Sequence, residues 1–356
     1  MARVALRSSL SVVLGAAIVI AACSPGPAVP SPAPASPPPA ASNAEPSVAR
    51  TASAAPVVGA GEPWIVFQQF LDKSTVMLAR PDGSGVHSPT IGVPGSDQTN
   101  PDWSPDGSQL VMAVLDGGSE TLWVVNADGT DPRLLADCQG DCLFLDDPDW
   151  SPDGRAVLFS RVRNVGGNPL STLEQVDVAS GASELLVEAE PAHFYAGQRW
   201  SPDGSSVVVE ILTLAGPSVD SDIEDVSLVV IDLAAPTPAG RELIGSGRFP
   251  ETAAWAPDGS VIVFAALDAP AGNGHDLFAI APDGSGLRRI TTLADEGGSA
   301  THPDVSADGA SVVFAATLPG EDGSVVAQVD LDGGEVTPAT GSEFIDGVHP
   351  RLRPVP

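Results

Sequence analysis

A five-residue string built on Trp-Ser-Pro-Asp-Gly recurs along the chain and strongly limits what it can fold into. Three identical copies begin at Trp103, Trp150 and Trp200, a fourth begins at Trp255 with Ala in place of Ser, and a weaker fifth begins at Val305. Successive copies are 47, 50, 55 and 50 residues apart. Self-similarity at such a period is typical of solenoids and propellers, in which each repeat is one supersecondary unit.

Each repeat predicts a small antiparallel sheet. Ser-Pro-Asp-Gly suits a type I turn, because Pro presets φ at the second position and Gly tolerates the exit conformation. An apolar run follows each copy, and a second turn such as Asp128-Gly129 or Asp283-Gly284 comes later. Four strands in about 50 residues are the signature of a propeller blade. The nearly continuous apolar runs, typical of strands covered on both faces, are Leu110–Leu115, Ala156–Ser160, Val207–Leu212, Val261–Leu267 and Val312–Thr317.

The two ends of the repeat region complete each other. Residues 64–80, with Pro81-Asp82-Gly83, match the second, third and fourth strands of a unit but have no first strand. The tail His349-Pro350-Arg351-Leu352 matches His302-Pro303-Asp304-Val305, 47 residues earlier. We therefore expect the tail to supply the missing strand, which removes an exposed sheet edge. The predicted fold is all-β: residues 62–356 form a six-bladed β-propeller of four-stranded blades, closed by pairing of the C-terminal strand with the first blade.

The N-terminal segment predicts export. Arg3 and Arg7 precede an apolar run, Leu10–Ile20, that is too short to span a bilayer comfortably, so residues 1–22 are predicted to be a secretory signal. Ile20-Ala21-Ala22-Cys23 resembles the bacterial lipobox, whose Cys takes a diacylglyceryl group. The resemblance implies a lipoprotein, attached through Cys23 to a bacterial membrane on its extracytoplasmic side. The alternative is an ordinary signal peptidase site beside an incidental Cys.

Composition makes residues 23–61 a tether and excludes one class of partner. Ser24–Ser47 contains nine Pro, six Ala and five Ser, which favours an extended polyproline II spacer. The chain has 46 acidic and 16 basic residues and a formal charge of -30. Phosphate-backbone binding needs clustered Lys and Arg, so a nucleic-acid partner is excluded. Membrane contact is expected through the N-terminal lipid alone, because the acidic chain is repelled by anionic headgroups.

The repeat can be compared with a known type. The Pro-Asp-Trp-Ser-Pro-Asp-Gly strings at 101–107 and 148–154, each followed by an apolar strand and a later turn, resemble the TolB-type, WD-like propeller repeat. The resemblance covers residues 62–356 and implies a propeller fold, while this type of repeat serves many roles. TolB carries an N-terminal α/β domain where this chain has a Pro-rich tether, so the resemblance extends to the propeller only.

The repeat also predicts where a binding surface lies. The tight corners occupy one face of the propeller, and the longer, variable connections occupy the other, so the long-loop face is the candidate functional surface. We expect the residue before each Trp-equivalent to lie where the innermost strand begins, at the channel mouth on that face. These residues form either a polar ring that holds a cation or a partner's peptide, or a repeat consensus used for local capping. Their spacing alone shows no metal site. The residues are Asp102, Asp149, Arg199, Ala254, Asp304 and Arg351, with His302 and His349 two positions before the ring residues of their repeats.

Three smaller features allow two interpretations each. The carboxylates of loop 217–226 could wrap Ca²⁺, but no Gly-containing twelve-residue frame is present, and a solvated acidic loop is the alternative. Phe194 and Tyr195, beside His193, are either exposed contact aromatics or packed over the blade edge. Cys138 and Cys142 predict a disulfide in an exported protein, whereas a metal site would lack a His or a second Cys pair. The loop carboxylates are Asp220, Asp222, Glu224 and Asp225.

No enzyme motif accompanies these features. The sequence has no Gly-x-Ser-x-Gly, no His-Glu-x-x-His and no phosphate-binding Gly-rich loop followed by Lys. We therefore expect a non-catalytic, cofactor-free, monomeric module that recognises or scaffolds an envelope protein or peptide. The alternatives are a hydrolase or lyase that uses His302 and His349 at the channel mouth, and a propeller that binds a carbohydrate or another small ligand there.

Overall fold

Nearly all regular structure in the described part of the chain is β-strand. The computed structural model describes residues 58–354, apart from 60, 71–72, 91, 96, 117, 217, 220, 236–237, 246, 269–273 and 342–344. The predicted signal segment (1–22), the lipid site at Cys23 and almost all of the tether (23–61) lie outside the described residues. A short 3₁₀ helix, Leu293–Glu296, follows one strand. Within the described ranges, no helix has the length and apolarity needed to cross a bilayer.

The strands form six antiparallel sheets that correspond to the predicted repeat units. The first blade contains β1 (Ile65–Phe70) and β2 (Ser74–Ala79), the second β3 (Asp97–Trp103), β4 (Gln109–Asp116), β5 (Ser119–Asn126) and β6 (Arg133–Asp137), and the third β7 (Cys142–Trp150), β8 (Ala156–Val165), β9 (Asn168–Asp177) and β10 (Ser183–Glu188). The fourth contains β11 (His193–Trp200), β12 (Ser206–Leu214), β13 (Ile223–Asp232) and β14 (Ala239–Ile244), the fifth β15 (Glu251–Trp255), β16 (Ile262–Leu267), β17 (His275–Ile280) and β18 (Arg288–Arg289), and the sixth β19 (Ser299–Val305), β20 (Ser311–Thr317), β21 (Val325–Asp330) and β22 (Thr337–Pro338).

The last strand, β23 (Val348–Leu352), closes the ring. It pairs antiparallel with β1, placing Leu352 opposite Ile65 and Arg351 opposite Val66. The innermost strands contact one another in ring order, β3, β7, β11, β15, β19 and β23, and β23 contacts β3 again. The six-bladed propeller and its closure by the tail are therefore confirmed.

The first blade is less regular than predicted. Its expected fourth strand is reduced to a single bridge between Leu78 and His87, so its sheet has three strands. Pro89 follows two residues after His87, and Pro cannot donate a backbone hydrogen bond to extend a ladder. A short outermost strand does not affect ring closure, which depends on the innermost strand.

Each Ser-Pro-Asp-Gly string forms the predicted tight corner. In the third blade the Gly154 N–H donates to the Ser151 carbonyl at 2.9 Å, and Gly154 has a φ of 69°. The Asp153 carboxylate accepts hydrogen bonds from the Ser151 hydroxyl at 2.7 Å and from the Arg155 N–H at 3.1 Å. The carboxylate thus satisfies polar groups of its own turn.

The core lies between the blades. Leu158 and Leu173 of the third blade pack against Val209, Val229 and Ile231 of the fourth. Because each blade is covered on both faces, every side chain of β16 is buried. This two-sided burial explains why the second strands read as continuous apolar runs.

Candidate functional site

The predicted polar ring lies at a different height in the channel from the one expected. Asp102 and Asp149 are next to last in their strands, and the chain turns at the tight corner directly after the following Trp. The prediction that these residues begin the innermost strands at the mouth of the long-loop face was therefore wrong. Innermost strands start several residues earlier, in sequence without a common pattern: the start of β3 is polar, whereas that of β7 is largely apolar. Next-to-last positions are likewise held by Arg199, Ala254, Asp304 and Arg351.

Three aspartates of this ring join successive blades. Asp102 accepts a hydrogen bond from the Trp150 N–H at 2.9 Å, and Asp149 accepts one from the Trp200 N–H at 2.8 Å. Asp304 accepts one from the Leu352 N–H at 2.7 Å. In each case the donor belongs to the innermost strand of the next blade. The capping interpretation is therefore the one that these contacts support, with the cap extending from one blade to its neighbour.

Two arginines lie among the buried carboxylates and oppose their negative charge. The Nε of Arg199 lies 3.6 Å from the Asp149 Oδ1, and Arg351 donates to the carbonyls of Pro303 and Pro350 at 3.3 and 3.0 Å. Burial, followed by the nearby Asp102 carboxylate, raises the pKa of Asp149 to about 7, and Arg199 opposes that shift. Burial and the charge of Arg199 lower the pKa of Arg351 to about 10, against the attraction of the carboxylates. The ring is a buried, mutually compensating charge cluster.

The positions two residues before this ring share an unusual backbone conformation. Asp147 and His302 have φ values of 53° and 54°, in the left-handed region, and the strand register shifts beside them. Asn, Asp and His adopt this region more readily than other non-glycine residues, which gives His at this position a conformational role that Asn and Asp share. The residues at these six positions, with their φ values, are Asn100 (49°), Asp147 (53°), Gly197 (58°), Thr252 (45°), His302 (54°) and His349 (50°).

The two histidines meet inside the channel. The ring centroids of His302 and His349 are 3.7 Å apart, and the residues are 9% and 8% exposed. Burial, with the charge of Arg351 adding to it, lowers the pKa of His302 to about 3, and burial also holds the pKa of His349 well below its usual value. Both rings are therefore neutral near pH 7. The Nδ1 of His302 lies 2.9 Å from the Thr301 hydroxyl, while its Nε2 is buried without a hydrogen-bond partner in the described part of the chain.

The arrangement provides polar atoms but no metal-binding set. Among the described residues, no group of three or more His, Cys, Asp or Glu side chains is placed to hold a metal ion. The His302–His349 pair could exchange hydrogen bonds with a small polar molecule.

Buried carboxylates that sequence reasoning missed lie beside these residues. Asn100 donates to Asp146 at 2.8 Å and to Asp147 at 2.7 Å, and Glu210 accepts a hydrogen bond from the Thr252 N–H. Burial raises the pKa of Glu210 to about 8, mainly because the charged form loses its hydration. Glu120 is buried too, and burial raises its pKa to about 7. The sequence signal for these buried carboxylates was Glu210 itself, a single Glu inside the apolar sequence of β12.

The structure also decides between the alternatives for the two cysteines and the two aromatic residues. The structure contains the disulfide between Cys138 and Cys142, with Cα atoms 5.1 Å apart, and it pins the connection from β6 to β7. Phe194 and Tyr195 are packed rather than exposed, at 5% and 8% exposure.

The structure describes part of the acidic loop 217–226. Asp220 lies outside the described residues, Asp222 is exposed, and Glu224 and Asp225 are part of β13. Two of the four carboxylates therefore belong to a strand rather than to a loop that could wrap an ion.

Comparison with known proteins identifies the family. Residues 64–292 match the family model described as the TolB beta propeller domain. The chain belongs to the TolB beta-propeller family. Among solved structures, the chain is similar to TolB from Acinetobacter baumannii, with 16% identity and a TM-score of 0.59 over 83% of this chain and 67% of that one. No curated protein matches the sequence.

Structures of enzymes share the same fold. Hydrazine synthase of Kuenenia stuttgartiensis has 14% identity and a TM-score of 0.60 over 83% of this chain and 47% of that one. An oligogalacturonate lyase in complex with manganese has 15% identity and a TM-score of 0.53 over 77% and 72% of the two chains. Identities this low show the fold alone.

The sixth blade of this TolB-family propeller lies beyond the matched span, and its corner reads Val305-Ser306-Ala307-Asp308-Gly309. It nevertheless makes the same contacts as the second and third blades. The Ser306 hydroxyl donates to Asp308 at 2.6 Å, and Asp304 caps the next blade. The aspartates of this sixth blade therefore keep their contacts although Trp and Pro are replaced.

Proposed function

We propose that this TolB-family propeller is a non-catalytic recognition or scaffolding module for an envelope protein or peptide. One observation supports this most directly: the channel carboxylates Asp102, Asp149 and Asp304 are bound to backbone N–H groups of neighbouring blades. A side chain that joins two blades is held in place by the fold and is poorly suited to move during a reaction. These charged groups therefore stabilise the ring of blades, and we assign recognition to the surface of the propeller.

The long-loop face is the surface that fits this role. Its connections are carried by a rigid frame of inner strands, an arrangement common to binding loops. The Cys138–Cys142 disulfide restrains one of these connections, and the neighbouring Leu143 is 42% exposed. A restrained loop loses less conformational entropy on binding.

The sequence supports a location outside the cytoplasm. The Ile20-Ala21-Ala22-Cys23 string and the Pro-rich stretch after it suit a lipid-anchored propeller held away from the membrane surface. We expect Cys23→Ser to move the chain from the membrane fraction to the soluble extracytoplasmic fraction. Unchanged membrane retention of this variant would contradict lipid attachment at Cys23.

Partner capture tests the recognition role. The full chain is cross-linked in envelopes of the bacterium that carries it, and the captured proteins are compared between two variants. Leu143→Lys changes the long-loop face, and Leu287→Lys changes an equally exposed leucine, also 42%, on the corner face. We expect one envelope partner to be captured by the wild type and by Leu287→Lys and to be lost with Leu143→Lys. Loss in both variants, or no partner in the wild type, would overturn the proposal.

A small enzyme or ligand-binding site at the channel is the second candidate. The Nε2 of His302, which lies beside the His349 ring and has no hydrogen-bond partner among the described residues, favours this second candidate. Adding a chelator distinguishes the two functions. The melting temperature of a recognition module that holds no metal should not change when the chelator is added. A decrease that is absent in His302→Gln would favour a metal-dependent enzyme.

A further inference from the structure

A cavity of about 560 Å³ opens between the third and fourth blades, and it is lined by residues other than those of the channel cluster. Its volume is typical of ligand-binding pockets. Its lining includes apolar side chains on one face of the fourth blade, Tyr195, Ile211, Val229 and Ile231, together with Val187 of the third blade. We call this cavity the inter-blade groove.

A glycine keeps the groove open. Gly240 lies in the outermost strand of the fourth blade, opposite Ile231. A Cβ at this position would come within 2.9 Å of the Val229 Cγ1. Any larger residue would therefore have to displace the apolar side chains beside it or project into the groove.

Carboxylates stand on both walls of the groove. Glu188 and Glu190 come from the end of the third blade, and Asp225 and Glu242 come from the fourth. Among the described residues that line the groove, His193 is the one basic side chain, and none is Lys or Arg. None of the ion pairs between described residues engages these four carboxylates. The groove thus combines apolar side chains with uncompensated negative charge.

We propose that the inter-blade groove binds an extended cationic segment of a partner protein. An apolar side chain of the segment would pack beside Ile211 and Val229, and flanking Lys or Arg side chains would pair with the carboxylates of the two walls. Apolar burial supplies affinity, while complementary charge steers association and fixes the register. The proposal rests on the recognition role proposed above and names the chemistry of the partner.

The tyrosine in the groove provides a specific probe. The chain contains one Tyr, so 3-fluorotyrosine gives a single ¹⁹F resonance, from residue 195. The full chain, in a non-ionic detergent, is titrated with a nine-residue peptide of alternating Lys and Leu. We expect a saturable shift of that resonance.

Charge reversal with a matched control tests the walls. Glu188 and Glu242 are exposed, as are Glu321 and Glu335 of the sixth blade. We expect the double variant Glu188→Lys/Glu242→Lys to weaken peptide binding at least about tenfold, and Glu321→Lys/Glu335→Lys, with the same change in net charge, to weaken it less than about twofold. Far-UV circular dichroism checks that both variants keep the fold.

Several results would overturn the groove proposal. They are the absence of a saturable shift in the wild type, equal weakening in the two double variants, or equal binding of a peptide in which Ser replaces Lys. Equal weakening would mean that the overall acidity of the chain attracts the peptide. Failure to capture an envelope partner, with peptide binding at the groove intact, would instead overturn the recognition role and leave the groove a cation-selective site.

Discussion

The corner and the channel of the second, third and sixth blades use the same residue type, aspartate, in opposite ways. In the third blade, Asp149 and Asp153 are four positions apart in one string. Asp153 is exposed, and hydrogen bonds from the Ser151 hydroxyl and the Arg155 N–H lower its pKa. Asp149 is 8% exposed, and burial raises its pKa to about 7.

The difference lies in the source of the backbone N–H that each carboxylate accepts. The Asp153 carboxylate accepts from its own turn, whereas Asp149 accepts from Trp200, on the next blade. A repeat can therefore preserve two aspartates for two purposes: one shapes a hairpin, and the other connects the hairpins into a ring. Channel residues should consequently affect global stability more than corner residues do.

The largest effect is expected from removing the closing strand. Deletion of residues 348–356 leaves the first blade without its innermost strand and Asp304 without the Leu352 N–H. We expect the cooperative thermal transition of the propeller to be lost. A truncated chain that melts like the intact one would contradict closure by the tail.

The next effect concerns the channel aspartate. Asp149→Ala removes the partner of Arg199 and leaves the Trp200 N–H without an acceptor. We expect the free energy of unfolding, measured with a chemical denaturant, to fall by about 3 to 5 kcal/mol, because a buried charge loses its partner. A loss below about 1 kcal/mol would place Asp149 in the same class as an exposed turn residue.

An intermediate effect on stability is expected from a change in pH, through the buried carboxyl of Glu210. Burial raises the pKa of Glu210 from an ordinary value of 4.5 to about 8, so folding favours its neutral form. The stability gained from the neutral form is complete below the unfolded pKa and is lost as the pH rises through about 8. The melting temperature should therefore fall as the pH rises from about 4.5 to about 8, and this fall should be smaller in Glu210→Gln. An equal fall in wild type and variant would assign the pH dependence to other groups.

The smallest effect belongs to the corner. Asp153→Ala removes hydrogen bonds of an exposed turn that other backbone contacts also hold, including the bond from Gly154 to Ser151. We expect a loss of about 1 kcal/mol in the free energy of unfolding. A loss as large as that of Asp149→Ala would remove the contrast between corner and channel.

The sequence predicted the parts of the fold that repeat locally. Ser-Pro-Asp-Gly corners, apolar second strands and the match between His302 and His349 were sufficient for the blade count and ring closure. The start of each innermost strand could not be predicted, because these segments share no pattern: Asp97-Gln98-Thr99-Asn100 is polar, whereas Cys142-Leu143-Phe144-Leu145 is largely apolar. The left-handed residues were also hidden, since Asn, Asp, Gly, Thr and His all occupy that position.

Buried charge was the other feature that local sequence could not show. Glu210 reads as an isolated polar residue in an apolar strand, and its acceptor role depends on Thr252 of the next blade. The same is true of Asp146, which receives a hydrogen bond from Asn100, 46 positions earlier. Contacts between blades join residues about one repeat apart, so the sequence of a single unit does not show them.

Native-state hydrogen exchange compares the two sets of aspartates in a single experiment. The account predicts that the N–H groups of Trp150, Trp200 and Leu352, bound by channel carboxylates, exchange only through global unfolding. It also predicts that those of Ser108, Arg155 and Ser205, bound by corner carboxylates, exchange through local opening and far faster. Equal protection of the two sets would contradict the claim that the channel aspartates hold the ring together.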